Sequence, residues 1–136
     1  MSTNQDFLEE GQDKAIYLAG PYSHAHKDIE AMRRIMLTYV STKLAVAGIT
    51  VFSPITQSHE QEKTGLMKGD YETWKKTDRK MVEKMDEVWV LILEGWRQSK
   101  GVTDEIYWAR RKGKKIRFLK YQAYKDKIVE VKRGSK

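Results

Sequence analysis

Apolar residues in this chain come either in short unbroken runs or at helical spacing, and the two patterns alternate. Ala15-Ile-Tyr-Leu-Ala19 reads as a strand stopped by Gly20-Pro21, a strong breaker pair. Residues 28–47 carry Ile29, Met32, Met36, Tyr39, Val40 and Ala47 at helical spacing, with Gly48 as the stop. Ile49-Thr-Val-Phe52 is a second strand, closed by Ser53-Pro54, so that strand, helix and strand form a right-handed βαβ unit. Residues 55–69 read as a long polar loop, of the length that often serves as a lid. A helix over residues 71–85 turns Tyr71, Trp74, Asp78, Met81, Val82 and Met85 inward. Val88-Trp-Val-Leu-Ile-Leu93 is apolar throughout, as expected of a parallel strand covered on both faces. Val102, Ile106 and Ala109 mark a further helix ended by Gly113, and Lys115-Ile-Arg-Phe-Leu119 a fourth strand. Ile128-Val-Glu-Val131 fits a short strand or a helical turn equally, and residues 1–13 read as a flexible tail. The expected fold is a single domain over residues 14–136. It is a three-layer α/β/α sandwich with a Rossmann- or flavodoxin-like parallel sheet of four or five strands.

Composition narrows the class. No apolar run is long enough to span a bilayer, the first residues lack a signal-peptide pattern, and there is no cysteine. A cytoplasmic protein without disulfides or thiolate metal sites is expected, with no membrane partner. The net charge of +7 is uneven: residues 110–136 hold 12 Lys/Arg against two acidic residues, whereas residues 1–109 hold 14 against 17. A basic end attracts phosphate-bearing ligands, although a solvated face explains most of these lysines. The chain order shows no basic–aromatic interleaving there, so a nucleic-acid partner is not expected.

Two carboxylates fall where apolar residues belong. Asp78 sits in the inward stripe of its helix, and Glu105 shares the inward face of Val102 and Ala109. An inward carboxylate is paired, protonated or employed. One of two such groups can act as nucleophile and the other as acid, because burial drives their pKa values apart. The plainer alternative is that Asp78 caps a loop and Glu105 pairs with a lysine. In an open α/β sheet the ligand crevice lies beyond the carboxyl ends of the strands, which here places the turn from Glu94 to Gly101 beside Glu105. The other strand end offers Gly20, which lets backbone approach a ligand. His24, His26 and His59 match no compact ligand spacing, and the first turn lacks a dinucleotide fingerprint, so neither metal nor cofactor is expected. Trp74, Trp89, Trp96 and Trp108 read as core or pocket wall.

Ile16-Tyr-Leu-Ala-Gly-Pro-Tyr-Ser23, Asp78 ahead of Met85-Asp86, and Ser99-Lys-Gly-Val-Thr-Asp-Glu105-Ile together resemble the nucleoside 2-deoxyribosyltransferase superfamily. The likeness runs in order over residues 14–118. It implies chemistry at an N-glycosidic bond, with Glu105 attacking the anomeric carbon and Asp78 positioning the sugar or protonating the leaving base. Tyr22 is placed with this catalytic pair and Tyr17 with the substrate, although either tyrosine fits beside the sugar. Gly20, Ser23, Trp74, Ser99 and Gly101 complete the binding set, with His59 on the base side.

Six residues before the glutamate, transferases of this superfamily that use free nucleosides carry an aspartate, which would repel a 5′-phosphate. The 5′-monophosphate N-glycosidases have serine there, and this chain has Ser99. A hydroxyl beside Gly101 at a helix start, with Ser23 as a second donor, suits an anion. The resemblance therefore implies a nucleotide hydrolase releasing a free base and (deoxy)ribose 5-phosphate, and a homo-oligomer is expected. The alternatives are a base-exchanging deoxyribosyltransferase and a non-catalytic nucleotide-binding module.

Overall fold

The computed structural model describes residues 6–66 and 71–132. Its elements are α1 (Asp6–Gly11), β1 (Ala15–Ala19), α2 (Lys27–Val46), β2 (Thr50–Phe52), α3 (Pro54–Glu62), α4 (Tyr71–Lys84), β3 (Glu87–Leu91), α5 (Lys100–Arg111), β4 (Lys115–Gln122) and β5 (Lys127–Val131). Five strands form one sheet in the order β2-β1-β3-β4-β5. The first four are mutually parallel, with Tyr17 opposite Phe52 on one side and Val88 on the other. β5 returns antiparallel to β4, so the undecided last segment is a strand. Its tight turn places Asp126 at φ 50°, where the side chain accepts bonds from Tyr39 and Tyr121.

Period-two alternation divides the core between the two faces of the sheet. Ile16, Leu18, Trp89, Leu91 and Leu119 face one side and pack with α1 and α2. Tyr17, Ala19, Val88 and Val90 face the other and pack with Val82 of α4 and Val102 and Ala109 of α5. The chain leaves β1 for β2 on one side and returns to β3 on the other. The carboxyl ends of β1 and β3 therefore form the topological switch point, where crevices open in such sheets. No described helix is long and apolar enough to cross a membrane.

Three expectations change. The tail contains a helix: α1 tucks Phe7 edge-on against Trp89 at 5.3 Å, and both rings are fully buried. One aromatic residue in a polar stretch is too little for periodicity to register, yet it suffices to dock six residues. The lid loop is largely α3, begun by Pro54 at the first helical turn, where a missing N–H costs nothing. Residues 67–69 of that loop, residues 1–5 of the tail, residues 133–136 and the Tyr71 side chain lie outside the described residues. Finally, α2 buries Arg33, Leu37, Val40, Ser41 and Leu44, leaving Met32 and Tyr39 exposed. Its apolar residues lie on two sides, so spacing alone did not choose the inward one.

Candidate active site

The second face of the sheet carries the two inward carboxyls. Val82, beside the half-buried Asp78 on α4, and Val102 and Ala109, flanking Glu105 on α5, anchor both helices to β1 and β3. Packing thus leaves Glu105 only 6% exposed. The Tyr17 hydroxyl, from the middle of β1, donates a short hydrogen bond to Glu105 Oε2. Burial, and then the neighbouring charge of Asp78, pushes the Glu105 carboxyl well above the ordinary range; the Tyr17 hydroxyl opposes the rise. Asp78 is pushed up to about 7 by burial and by the charge of Asp104, again with Tyr17 opposing. The result is two carboxyls beside one phenol, each pushed towards its protonated form.

Asp104, next to this pair, keeps its charge within an ion pair. Arg79 grips it with two parallel bonds, Nε to Oδ2 at 3.0 Å and Nη2 to Oδ1 at 2.6 Å. That fork also ties α4 to α5.

The loops at the switch point are held by a residue that spacing along the chain does not single out. Arg33, 8% exposed, reaches from α2 to donate to the carbonyl of Ser23 at 2.9 Å and to that of Glu94 at 2.8 Å. It thereby clamps the loop after β1 to the loop after β3. Gly95 stands at φ 85°, and a Cβ there would lie 2.6 Å from Arg33 Nη2, so the clamp requires glycine. A signal was available: Arg33 lies four residues after Ile29 and four before Leu37, a charge in an apolar stripe like Asp78 and Glu105.

The other predicted site residues divide. Tyr17, Asp78 and Glu105 meet. Tyr22 does not join them through any contact seen here; its hydroxyl is pushed upward by burial and by Glu30 and Glu62. Glu62 accepts from the Trp74 indole at 3.0 Å, which ties α4 to the end of α3. Tyr17, assigned from sequence to the substrate, is therefore the tyrosine that touches the catalytic candidate, because strand alternation points it to the carboxyl face. Gly20 has a packing role: a Cβ would fall 2.5 Å from Leu37 Cδ2. Ser23 presents its carbonyl to Arg33 and its side chain to solvent. Ser99 caps α5, its Oγ accepting from the Val102 N–H at 3.2 Å while its proton can still be donated outward. Gly101 follows in the first helical turn, and His59 lies on α3 rather than in a loop. Among the described residues no group of three or more His, Asp or Glu could hold a metal ion.

Chemically, this arrangement sets two carboxyls of raised pKa on one face of the sheet and aims a phenolic O–H at one of them. That suits covalent catalysis with an adjacent acid. No curated protein matches the chain. A family model matches residues 14–121, from the start of β1 almost to the end of β4 and across Tyr17, Asp78 and Glu105; the chain belongs to that family, described as a domain of unknown function (DUF1937).

Proposed function

We propose that the protein is a nucleotide N-glycosidase that hydrolyses a (deoxy)nucleoside 5′-monophosphate to free base and (deoxy)ribose 5-phosphate. The observation that carries this reading is the buried Glu105, hydrogen-bonded by Tyr17 and coupled to Asp78. With one proton on the pair, the reactive form has the charge on Glu105, favoured by the Tyr17 O–H, and the proton on Asp78. The Glu105 carboxylate attacks the anomeric carbon. The N-glycosidic bond breaks with its electron pair leaving on the base, and Asp78 protonates that base. Water, deprotonated by Asp78, then opens the glycosyl ester, which restores Glu105 and completes retention.

The Ser99 hydroxyl at the start of α5, a neutral donor where a helix presents its N–H groups, supports a 5′-phosphate in place of a 5′-hydroxyl. The apolar residues that α2 leaves exposed, Met32, Ile35 and Val46, support self-association, which light scattering measures directly.

Chromatographic base release tests the reading. The protein is incubated with ribo- and deoxyribonucleoside 5′-monophosphates beside the matching nucleosides, with and without a free acceptor base. Release from monophosphates, not accelerated by acceptor, is the expected result. Faster release with acceptor would make it a transferase, and ligand binding without release would make it a binding module. Ser99→Asp should shift preference from monophosphate towards nucleoside by about tenfold or more through charge repulsion; an unchanged ratio would remove Ser99 from phosphate recognition.

A further inference from the structure

The outer surface of α4 and α5 holds two concavities that neither Asp78 nor Glu105 lines. One, of about 380 Å³, is walled by Lys75, Lys76, Arg79 and Lys80 of α4 and floored by Trp108 of α5. The other, of about 400 Å³, lies between Lys75 and Lys100 with Tyr107 at its edge. They adjoin at Lys75, which lines both. α4 ends just before β3 begins and α5 just before β4 begins, so both helices run from the carboxyl edge of the sheet to its amino edge. The groove between them follows the same course and starts beside the switch point.

Five basic side chains line this groove against three carboxylates, Glu72, Glu83 and Asp104. Arg111 and Lys112 add positive charge at the far end, where Lys112 stands 5.1 Å from the Trp108 ring centre. Two of the three carboxylates have partners: Asp104 is held by Arg79, and Glu83 accepts from the Trp108 indole at 3.0 Å. The aromatic surface is set among cations. Arg79 lies 4.5 Å over the Trp108 ring, Arg111 lies 5.9 Å from Tyr107, and Tyr107 is 52% exposed.

We infer that the α4–α5 groove is a binding site for single-stranded nucleic acid, with its lysines on the phosphates and the exposed Tyr107 ring under a base. Charge complementarity selects a polyanion, and a ring presented among cations selects one that carries flat bases, the combination used by single-strand binders. Twelve residues of α5 extend about 18 Å, the span of roughly five stacked nucleotides. The basic residues come chiefly from residues 75–80 and the rings from residues 107–108, so the interleaving exists only after the helices pack. This site does not depend on the glycosidase reading, and it is tested by binding alone.

Fluorescence anisotropy with a labelled oligothymidylate of about 12 nucleotides, beside an abasic deoxyribose-phosphate strand of equal length, reads both contributions. The intact protein should bind oligothymidylate several-fold more tightly than the abasic strand. Tyr107→Ala should erase that difference without changing the salt slope. Lys76→Glu with Lys80→Glu should weaken both strands by about tenfold or more and flatten the salt dependence. The same charge change placed away from the groove, Lys125→Glu with Lys127→Glu on the β4–β5 hairpin, should weaken them far less. Equal losses from the two pairs, or equal affinity of the intact protein for both strands, would overturn the site in favour of diffuse charge attraction. Polyglutamate bound as tightly as oligothymidylate would overturn it in favour of an acidic protein partner.

Discussion

The two faces of one sheet each bury charge, and they do so in opposite ways. On the first face Arg117, 5% exposed, donates to Glu87 at 3.1 Å and to Glu130 at 3.0 Å, and also pairs with Glu10 of α1. Glu87 takes a further bond from the Trp89 indole at 2.9 Å. One guanidinium bonded to three carboxylates makes this a structural cluster that ties α1, β3, β4 and β5 together. On the second face Glu105 and Asp78 repel one another around a single phenol, and Asp104 adds to the repulsion. Folding is not helped by such a group. A like-charge pair of this kind costs stability, which is what marks this face as the candidate site.

Substitutions should separate the two kinds of cluster. The largest effect is expected from Glu105→Gln, which should cut base release by about a thousandfold or more while ligand binding persists and thermal stability holds or rises. An active variant would sink the nucleophile assignment. Next comes Arg117→Ala, which strands Glu87 in the core. A loss on the order of 3–5 kcal/mol in urea unfolding is expected, so that the melting temperature falls where Glu105→Gln leaves it intact.

Asp78→Asn should move stability the other way. An unfolded aspartate titrates near its ordinary value of about 3.9, whereas the folded one is pushed up to about 7. The folded state binds the proton more tightly, so this group's stabilising contribution is complete below about pH 4 and is lost as the pH rises through about 7. The advantage of the Asn variant over the parent should therefore grow across that window and level off above it, at about 2 kcal/mol, roughly half of what so large a displacement of the pKa carries in full, because solvent reaches the half-buried carboxyl. Parallel pH–stability curves would mean that Asp78 is not strained in the fold. The smallest effect belongs to Gly95→Ala. A positive φ and the contact with Arg33 should cost about 1–2 kcal/mol, with the Arg117 cluster untouched. A melting temperature equal to the parent's would deny the clamp its role.

Much of this was legible in the linear pattern because its cause is local. Apolar runs bounded by Gly20-Pro21 and Ser53-Pro54 specify strands, and the Val88–Leu93 run specifies a strand covered on both faces. Asp78 and Glu105 stood out because a carboxylate in an apolar stripe contradicts its surroundings. Arg33 and Arg117 carry the same contradiction, Arg33 between Ile29 and Leu37 and Arg117 in alternation with Leu119. Long basic side chains on amphipathic elements are so often at the surface that the signal passes unread. The α1 helix was hidden for a different reason: Phe7 needs Trp89, distant in the chain, before its burial has meaning.

By itself, then, the sequence determined the alternation of elements, the parallel core and the two carboxylates, since each follows from periodicity over neighbouring residues. Only the tertiary structure decided which tyrosine serves them. Tyr17 and Tyr22 are five residues apart, but strand alternation and the turn at Pro21 send one to Glu105 and the other towards Glu30 and Glu62. It likewise set Lys76 and Lys80 around one concavity with Trp108, and Lys75 around another with Tyr107. Spacing along a chain fixes the face a side chain takes, whereas its partner depends on packing between elements far apart in sequence.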